Sequence, residues 1–189
     1  MKSIRFQKLL IDHNLYQQIK LEIAERSHSW DNTALYYDLY NLQTSPLLLK
    51  YIKDLGILEY VRSVGHTVIK PLEEIPVHVD NYDTYIWSLT IPFKNPEGTY
   101  NRFFKDEGRL PLIKADRDYG PYAVNQGWVH PEPNKAVWID QVEVDGPMLL
   151  NTGVPHSVVN LSDCTREALV IRLNEKFTPD VIELSKIKD

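Results

Sequence analysis

The chain has 189 residues, of which 43% are hydrophobic and 25% are charged. These proportions are close to the averages of globular proteins and argue against a wholly disordered chain. The formal net charge of −5 argues mildly against a nucleic-acid partner, because affinity for a phosphate backbone comes chiefly from clustered Lys and Arg.

The cysteine content and the apolar segments bear on location. The single cysteine, Cys164, cannot form an internal disulfide, which fits a reducing compartment. The first residues contain no apolar core of signal-peptide length, and no stretch approaches the ~20 apolar residues of a transmembrane helix. We therefore expect a cytoplasmic protein without a membrane partner.

The first 59 residues predict two helices. Apolar residues recur at roughly helical spacing between Asn14 and Arg26. Further along, Ser45 is a good N-cap, Pro46 suits the first helical position, and a stripe of apolar residues ends at Gly56. These residues are expected to form a helical flank to the rest of the chain.

From about residue 60 the sequence becomes typical of β-structure. Short segments rich in Val, Ile, Thr, Tyr, Phe and Trp alternate with Pro, Gly, Asn and Asp, as in an antiparallel sandwich or barrel. The predicted strands lie at 60–70, 76–80, 84–93, 100–104, 136–144, 147–151, 155–161 and 166–173.

The order of these elements predicts the architecture. Runs of strands without βαβ alternation favour a mostly antiparallel α+β domain, and eight short strands fit a jelly-roll or cupin-like barrel, the double-stranded β-helix. We expect one domain over 1–189, with the helical flank at 1–59, the core at 60–175 and a C-terminal helix within 176–189, started by Thr178 and Pro179. A long loop at 105–135 is expected to be functional or mobile.

Two histidines and an aspartate have the arrangement of metal ligands. His78 and Asp80 are two residues apart on a predicted strand, so their side chains point to the same face and can approach one cation. Far along the chain, His156 follows a turn with Gly and Pro at the start of another predicted strand. Two imidazoles and one carboxylate form the facial triad of non-haem iron(II) oxygenases, which leaves three positions open.

A third element follows ten residues after His156. Arg166 opens the last predicted strand, and strand alternation places Arg166 and Arg172 on one face and Leu169, Ile171 and Leu173 on the other. An arginine on an inward face is costly unless an anion pairs with it. A dicarboxylate cosubstrate would supply that anion, since a guanidinium matches carboxylate geometry bidentately.

This pattern resembles the iron(II)/2-oxoglutarate-dependent dioxygenase superfamily, whose members have His-x-Asp/Glu, a distant His, and an Arg or Lys about ten residues later. The segment 88–93, SLTIPF, resembles the "LNIP" strand of a group of small, mostly uncharacterised members, with Thr90 in place of their usual Asn. The segment 151–158, NTGVPHSV, resembles their "N-T-x-x-P-H-x-V" segment. The resemblance covers roughly residues 60 to 175.

The resemblance implies a function and a set of roles. His78, Asp80 and His156 would bind Fe(II), and 2-oxoglutarate would chelate the iron through its 1-carboxylate and keto oxygen. Arg166 would pair with the 5-carboxylate of 2-oxoglutarate. The reaction would hydroxylate a small molecule or peptide of unknown identity, with release of succinate and CO2.

Other residues are weaker candidates for contacts with the cosubstrate or the substrate. Arg172 is an alternative partner for the 5-carboxylate, or else a residue at the rim. Tyr85 and Trp87 follow His-x-Asp on the next strand, where aromatic side chains are more often part of the core. Thr90 is a further candidate contact on that strand.

Two other functions remain open at this point. The run from Gly153 to Asn160 also resembles the second cupin motif, so a cupin-type metalloenzyme that does not use 2-oxoglutarate is an alternative. The same barrel can also serve as a binding module without a catalytic metal, because a fold alone does not decide a function. The sequence does not indicate an oligomeric state.

Overall fold

The structure is a computed structural model that describes residues 5–27, 42, 45–80, 87–105, 113–114, 128–129 and 132–188. Within these ranges the chain forms two α-helices, α1 (His13–Ser27) and α2 (Pro46–Asp54), and eleven β-strands. None of the helices described in the structure is long and apolar enough to cross a bilayer.

Both helices lie where the sequence predicts them. The buried residues Tyr16, Ile19 and Ile23 lie three and four positions apart and form one face of α1. The start of α2 is capped by the other helix, because the Glu22 carboxylate accepts hydrogen bonds from the backbone N–H groups of Leu47 and Leu48, at 3.3 and 3.0 Å. This contact fixes α1 against α2.

The strands have the following bounds: β1 (Phe6–Lys8), β2 (Val61–Ile69), β3 (Glu74–Val79), β4 (Trp87–Lys94), β5 (Thr99–Phe104), β6 (Ile113–Lys114), β7 (Trp128–Val129), β8 (Trp138–Glu143), β9 (Met148–Asn151), β10 (His156–Asn160) and β11 (Arg166–Leu173). The eight predicted strands are confirmed as β2–β5 and β8–β11. The three short strands β1, β6 and β7 were not predicted, and β6 and β7 lie within the segment predicted as a loop.

The strands form two antiparallel sheets. The five-stranded sheet has the order β1-β9-β4-β11-β2, and the six-stranded sheet has the order β6-β7-β3-β10-β5-β8. Core strands β2, β4, β9 and β11 lie in one sheet and β3, β5, β8 and β10 in the other, so successive core strands alternate between the sheets except at β5 and β8, which pair with each other. The predicted jelly-roll core is therefore confirmed.

The predicted C-terminal helix is wrong in its type and length. The segment contains two single-turn 3-10 helices, Pro179–Val181 and Leu184–Lys186, instead of one α-helix. Pro179 starts the first turn as predicted. The two turns do not join into one helix, because the residues between them, Ile182 and Glu183, have extended ψ values of 126° and 138°.

The larger apolar core lies between the helices and the five-stranded sheet. It joins residues of α1 and α2 to strand residues such as Leu89, Ile91, Leu169 and Ile171, all of them fully buried. We call this side of the sheet its outer face. Ile171 pairs with Leu89 across β11 and β4, so alternate positions of both strands point toward the helices.

A smaller apolar cluster lies between the two sheets. It consists of Phe103 and Val142 from the six-stranded sheet, Met148 and Leu150 from the five-stranded sheet, and Val144 between them. We call the side of the five-stranded sheet that bears Met148 and Leu150 its inner face. The inner faces of both sheets enclose an interior that contains the two predicted histidine ligands.

Candidate metal centre between the sheets

The two histidines of the predicted triad are brought together by strand pairing. In the antiparallel pair β3–β10, His78 lies directly opposite His156. The two imidazole rings have centroids 4.3 Å apart. His156 also lies opposite Phe103 of β5, a member of the cluster between the sheets, so both rings point into the interior.

Asp80 completes the group immediately after β3 ends. Its backbone N–H donates a hydrogen bond of 3.0 Å to the carbonyl of Thr152, in the turn that precedes His156. Its Oδ1 lies 3.7 Å from Nε2 of His78. Each of the three side chains offers one ligand atom, and these atoms all lie within 4.8 Å of one another, close enough to share one metal ion.

The backbone orients both imidazoles in the same manner. Nδ1 of His78 lies 2.7 Å from the carbonyl of Pro76, and Nδ1 of His156 lies 2.9 Å from the carbonyl of Val154. Because a carbonyl oxygen can only accept a hydrogen bond, each Nδ1 carries a hydrogen and is the donor. The lone pair is then on Nε2 of each ring, which is the arrangement that outer hydrogen bonds impose on metal-binding histidines.

The surroundings keep His156 neutral. Its side chain is buried, and burial, followed by the charge of His78, lowers its pKa to about 4, against the opposing effect of Asp80. His156 is therefore unprotonated near neutral pH, as a metal ligand must be. The side chains of His78 and Asp80 are 19% and 17% exposed, so the group is open on that side.

Arg166 is the most deeply buried charged residue among the described residues, at 2% exposure. It begins β11 and lies opposite Ile69 of β2. Its Nε and Nη2 atoms are buried and have no hydrogen-bond partner in the described part of the chain. Burial lowers its pKa to about 10, and the nearby Tyr16 opposes this, so the guanidinium remains charged at neutral pH.

The other predicted contacts fall on both faces of the five-stranded sheet. Thr90 is 4% exposed and lies opposite Met148 and Val170, which places it on the inner face. Arg172 also lies on the inner face, because its neighbour Ile171 belongs to the core beside the helices. Tyr85 lies outside the described residues.

The suggested contact of Trp87 with substrate or cosubstrate is wrong. Trp87 lies opposite Leu173, and both residues belong to the core between the sheet and the helices. Trp87 and Thr90 are three positions apart on one strand, so their side chains point to opposite faces. The alternative given for Trp87, a core residue, is the correct one.

Several buried polar residues in the interior were not predicted. Ser88 and Thr99 are at most 1% exposed, and their hydroxyls have no hydrogen-bond partner within the described ranges. Asn101 and Asn160 are also buried. The sequence contained a signal for Ser88, since it lies two positions before Thr90 on the same strand and hence on the same face.

Solved structures with the same architecture support this interpretation of the fold. SnoK, a non-haem α-ketoglutarate-dependent carbocyclase from nogalamycin biosynthesis, matches with a TM-score of 0.53 and 12% identity over 89% of this chain and 78% of SnoK. AviO1 from Streptomyces viridochromogenes matches with a TM-score of 0.50 and 13% identity over 93% and 91% of the two chains. The chain has the double-stranded β-helix fold.

A third solved structure, EvdMO1, contains the double-stranded β-helix as part of a longer chain. It matches with a TM-score of 0.53 and 15% identity over 92% of this chain and 48% of EvdMO1. No family model and no curated protein sequence matches this chain. The likeness to these solved structures concerns the fold.

Proposed function

We propose that this protein is an Fe(II)- and 2-oxoglutarate-dependent oxygenase that hydroxylates a small molecule or peptide. The observation that carries the proposal is the meeting of His78, Asp80 and His156, whose ligand atoms lie within 4.8 Å of one another in an interior that also contains a buried guanidinium. Neither feature alone points to this chemistry. Together they provide a metal site and a carboxylate site.

The donor set favours iron. Two neutral imidazoles and one carboxylate are the ligands of non-haem iron(II) oxygenases, and they leave three coordination positions for other ligands. When bound, iron and 2-oxoglutarate supply the oxidation: one atom of O2 enters succinate, CO2 is released, and the other atom becomes the hydroxyl of the product. The protein holds the three ligands at fixed positions through the β3–β10 pairing and the Asp80–Thr152 hydrogen bond.

The interior fits 2-oxoglutarate through Arg166. Burying a cation without a partner anion destabilises the folded protein. The Nε and Nη2 atoms of Arg166 are adjacent donors, and a carboxylate can accept one hydrogen bond from each. We assign the 5-carboxylate of the cosubstrate to this guanidinium. Thr90 lies on the same inner face, and we assign its hydroxyl a hydrogen bond to the cosubstrate.

Anaerobic titration with Fe(II) and 2-oxoglutarate tests the proposal. We expect a weak visible charge-transfer band in the wild-type protein and none in His156→Ala. Arg166→Gln should retain iron but bind 2-oxoglutarate about 100-fold more weakly, since it loses a charge-assisted bidentate pair. Arg62→Gln, at an exposed position of β2, is the matched control and should bind both normally.

The titration also separates the alternatives. Iron binding without a 2-oxoglutarate band would favour a cupin-type metalloenzyme. The absence of metal uptake by the wild-type protein would favour a binding module instead. Unchanged 2-oxoglutarate affinity in Arg166→Gln would contradict the assignment of the 5-carboxylate to this residue. Formation of succinate from 2-oxoglutarate in air, measured with the same variants, then tests the reaction itself.

A further inference from the structure

The inner face of β11 carries two guanidinium groups. Arg166 and Arg172 are six positions apart on one face, which corresponds to roughly 20 Å along an extended strand. The 5-carboxylate of 2-oxoglutarate needs only one of these two guanidiniums as its partner. If Arg166 binds the cosubstrate, as the proposed function requires, the role of Arg172 remains to be explained.

The strand pairings place the two arginines at opposite ends of the interior. Arg166 lies opposite Ile69, whose carbonyl accepts a hydrogen bond of 3.2 Å from Asn160, at the end of β10 that is distant from His156. Arg172 lies opposite Ser88, which lies opposite Leu150. Leu150 is two residues before Thr152, the residue whose carbonyl binds Asp80. Arg172 is therefore at the end of the sheet where the metal ligands gather.

Ser88 provides an independent sign that a polar ligand belongs there. It is 1% exposed, and its hydroxyl has no hydrogen-bond partner among the residues described in the structure. A buried hydroxyl without a partner is destabilising, and such groups are rare in native proteins. Because Ser88 and Arg172 are cross-strand neighbours on the inner face, one ligand can bind both.

We propose that Arg172 and Ser88 bind a carboxylate group of the substrate, and that the substrate class is therefore carboxylic acids. This inference rests on the proposed function and extends it. Arg172 has a contact within the protein, but a guanidinium has five N–H donors, so it can bind a carboxylate in addition. Arg166 would then hold the cosubstrate at one end, and Arg172 would hold the substrate on the other side of the metal ligands.

The test compares the binding of a small fluorinated carboxylic acid with that of its uncharged amide. The protein is loaded with redox-inert Zn(II) and saturated with 2-oxoglutarate, and 3,3,3-trifluoropropionate or 3,3,3-trifluoropropanamide is titrated and followed by 19F NMR. We expect millimolar binding of the acid and at least tenfold weaker binding of the amide. Arg172→Gln should weaken binding of the acid about tenfold or more, and Ser88→Ala less. Arg62→Gln should leave it unchanged, and 2-oxoglutarate binding should persist in all variants.

Replacing Zn(II) with Mn(II) locates the bound acid. Enhanced relaxation of the 19F signal in the wild-type protein, and its loss in Arg172→Gln, would place the acid beside the metal and support the proposal. Equal affinity for acid and amide, no binding of the acid up to about 50 mM, or unchanged binding in Arg172→Gln would overturn it. So would a loss of 2-oxoglutarate binding in Arg172→Gln as large as that in Arg166→Gln.

The two proposals fail in different ways. Wild-type protein that binds trifluoropropionate through Arg172 but does not bind 2-oxoglutarate contradicts the proposed function and leaves the anion site in place. Wild-type protein that binds 2-oxoglutarate but not trifluoropropionate overturns the substrate assignment and leaves the oxygenase assignment intact.

Discussion

The two faces of β11 differ sharply in chemistry. Leu169, Ile171 and Leu173 point toward the helices and are fully buried in the larger apolar core. Arg166 and Arg172 point between the sheets, where the apolar cluster is small and buried hydroxyl and amide groups are common. The outer face therefore supplies much of the stability of the fold, and the inner face is left to bind polar ligands.

This division explains why the interior can contain polar groups that lower the stability of the fold. A buried guanidinium and hydroxyls without partners destabilise a folded protein unless the rest of the structure compensates. Burial of the outer face against α1 and α2 compensates here, because it removes a large apolar area from water. Substitutions on the two faces should consequently affect different properties.

The largest effect on stability is expected on the outer face. Leu169→Ala removes a fully buried side chain from a packed core and should lower the free energy of unfolding by about 4 kcal/mol. Urea denaturation of the metal-free protein measures this loss. Leu184→Ala, where the leucine is 87% exposed, is the control and should change it by less than about 0.5 kcal/mol. Equal losses in both variants would refute the division of roles.

Lowering the pH should destabilise the metal-free protein through His156, which lies between the two sheets. The folded protein lowers the pKa of His156 from 6.5 to about 4, mainly by burial, so between these values the unfolded chain binds more protons. The free energy of unfolding of the metal-free protein should therefore fall by about 3 kcal/mol from this residue as the pH falls from 6.5 to 4. Denaturation at pH 7 and pH 4.5 should show a smaller decrease in His156→Gln. A decrease as large as in the wild-type protein would exclude His156 as its source.

A smaller effect, of opposite sign, is expected at Arg166. Arg166→Met replaces a buried cation with an apolar side chain of similar length and should raise the free energy of unfolding by about 1 kcal/mol. Binding of 2-oxoglutarate should be lost at the same time, as measured by isothermal titration. A clear loss of stability would instead mean that the guanidinium is part of the structural framework.

The period of two along β-strands explains which features could be predicted from the sequence. Alternation assigned the two faces of β11 correctly, and it brought His78 and Asp80 to one face of the chain. The same rule, applied to β4, would have separated Trp87 from Thr90. The meeting of His78 with His156 required a strand pairing that only the resemblance suggested, since no local pattern specifies which distant strands pair.

The missed elements have little local signal of their own. β1 contains three residues, and it forms a strand because it pairs with β9 in the distant part of the chain. β6 and β7 contain two residues each and pair with each other. Strands this short are fixed by tertiary contacts and not by the propensities of their residues.

The pairing of β3 with β10 determines when the site can form. Residues from the middle and from the last fifth of the chain contribute the ligands, so a ribosome must release β10 before the two imidazoles can meet. During synthesis, the complete set of ligands is therefore available only after His156 has emerged. A chain that ends before His156 lacks one ligand and also lacks β10 and β11, which are interior strands of the two sheets.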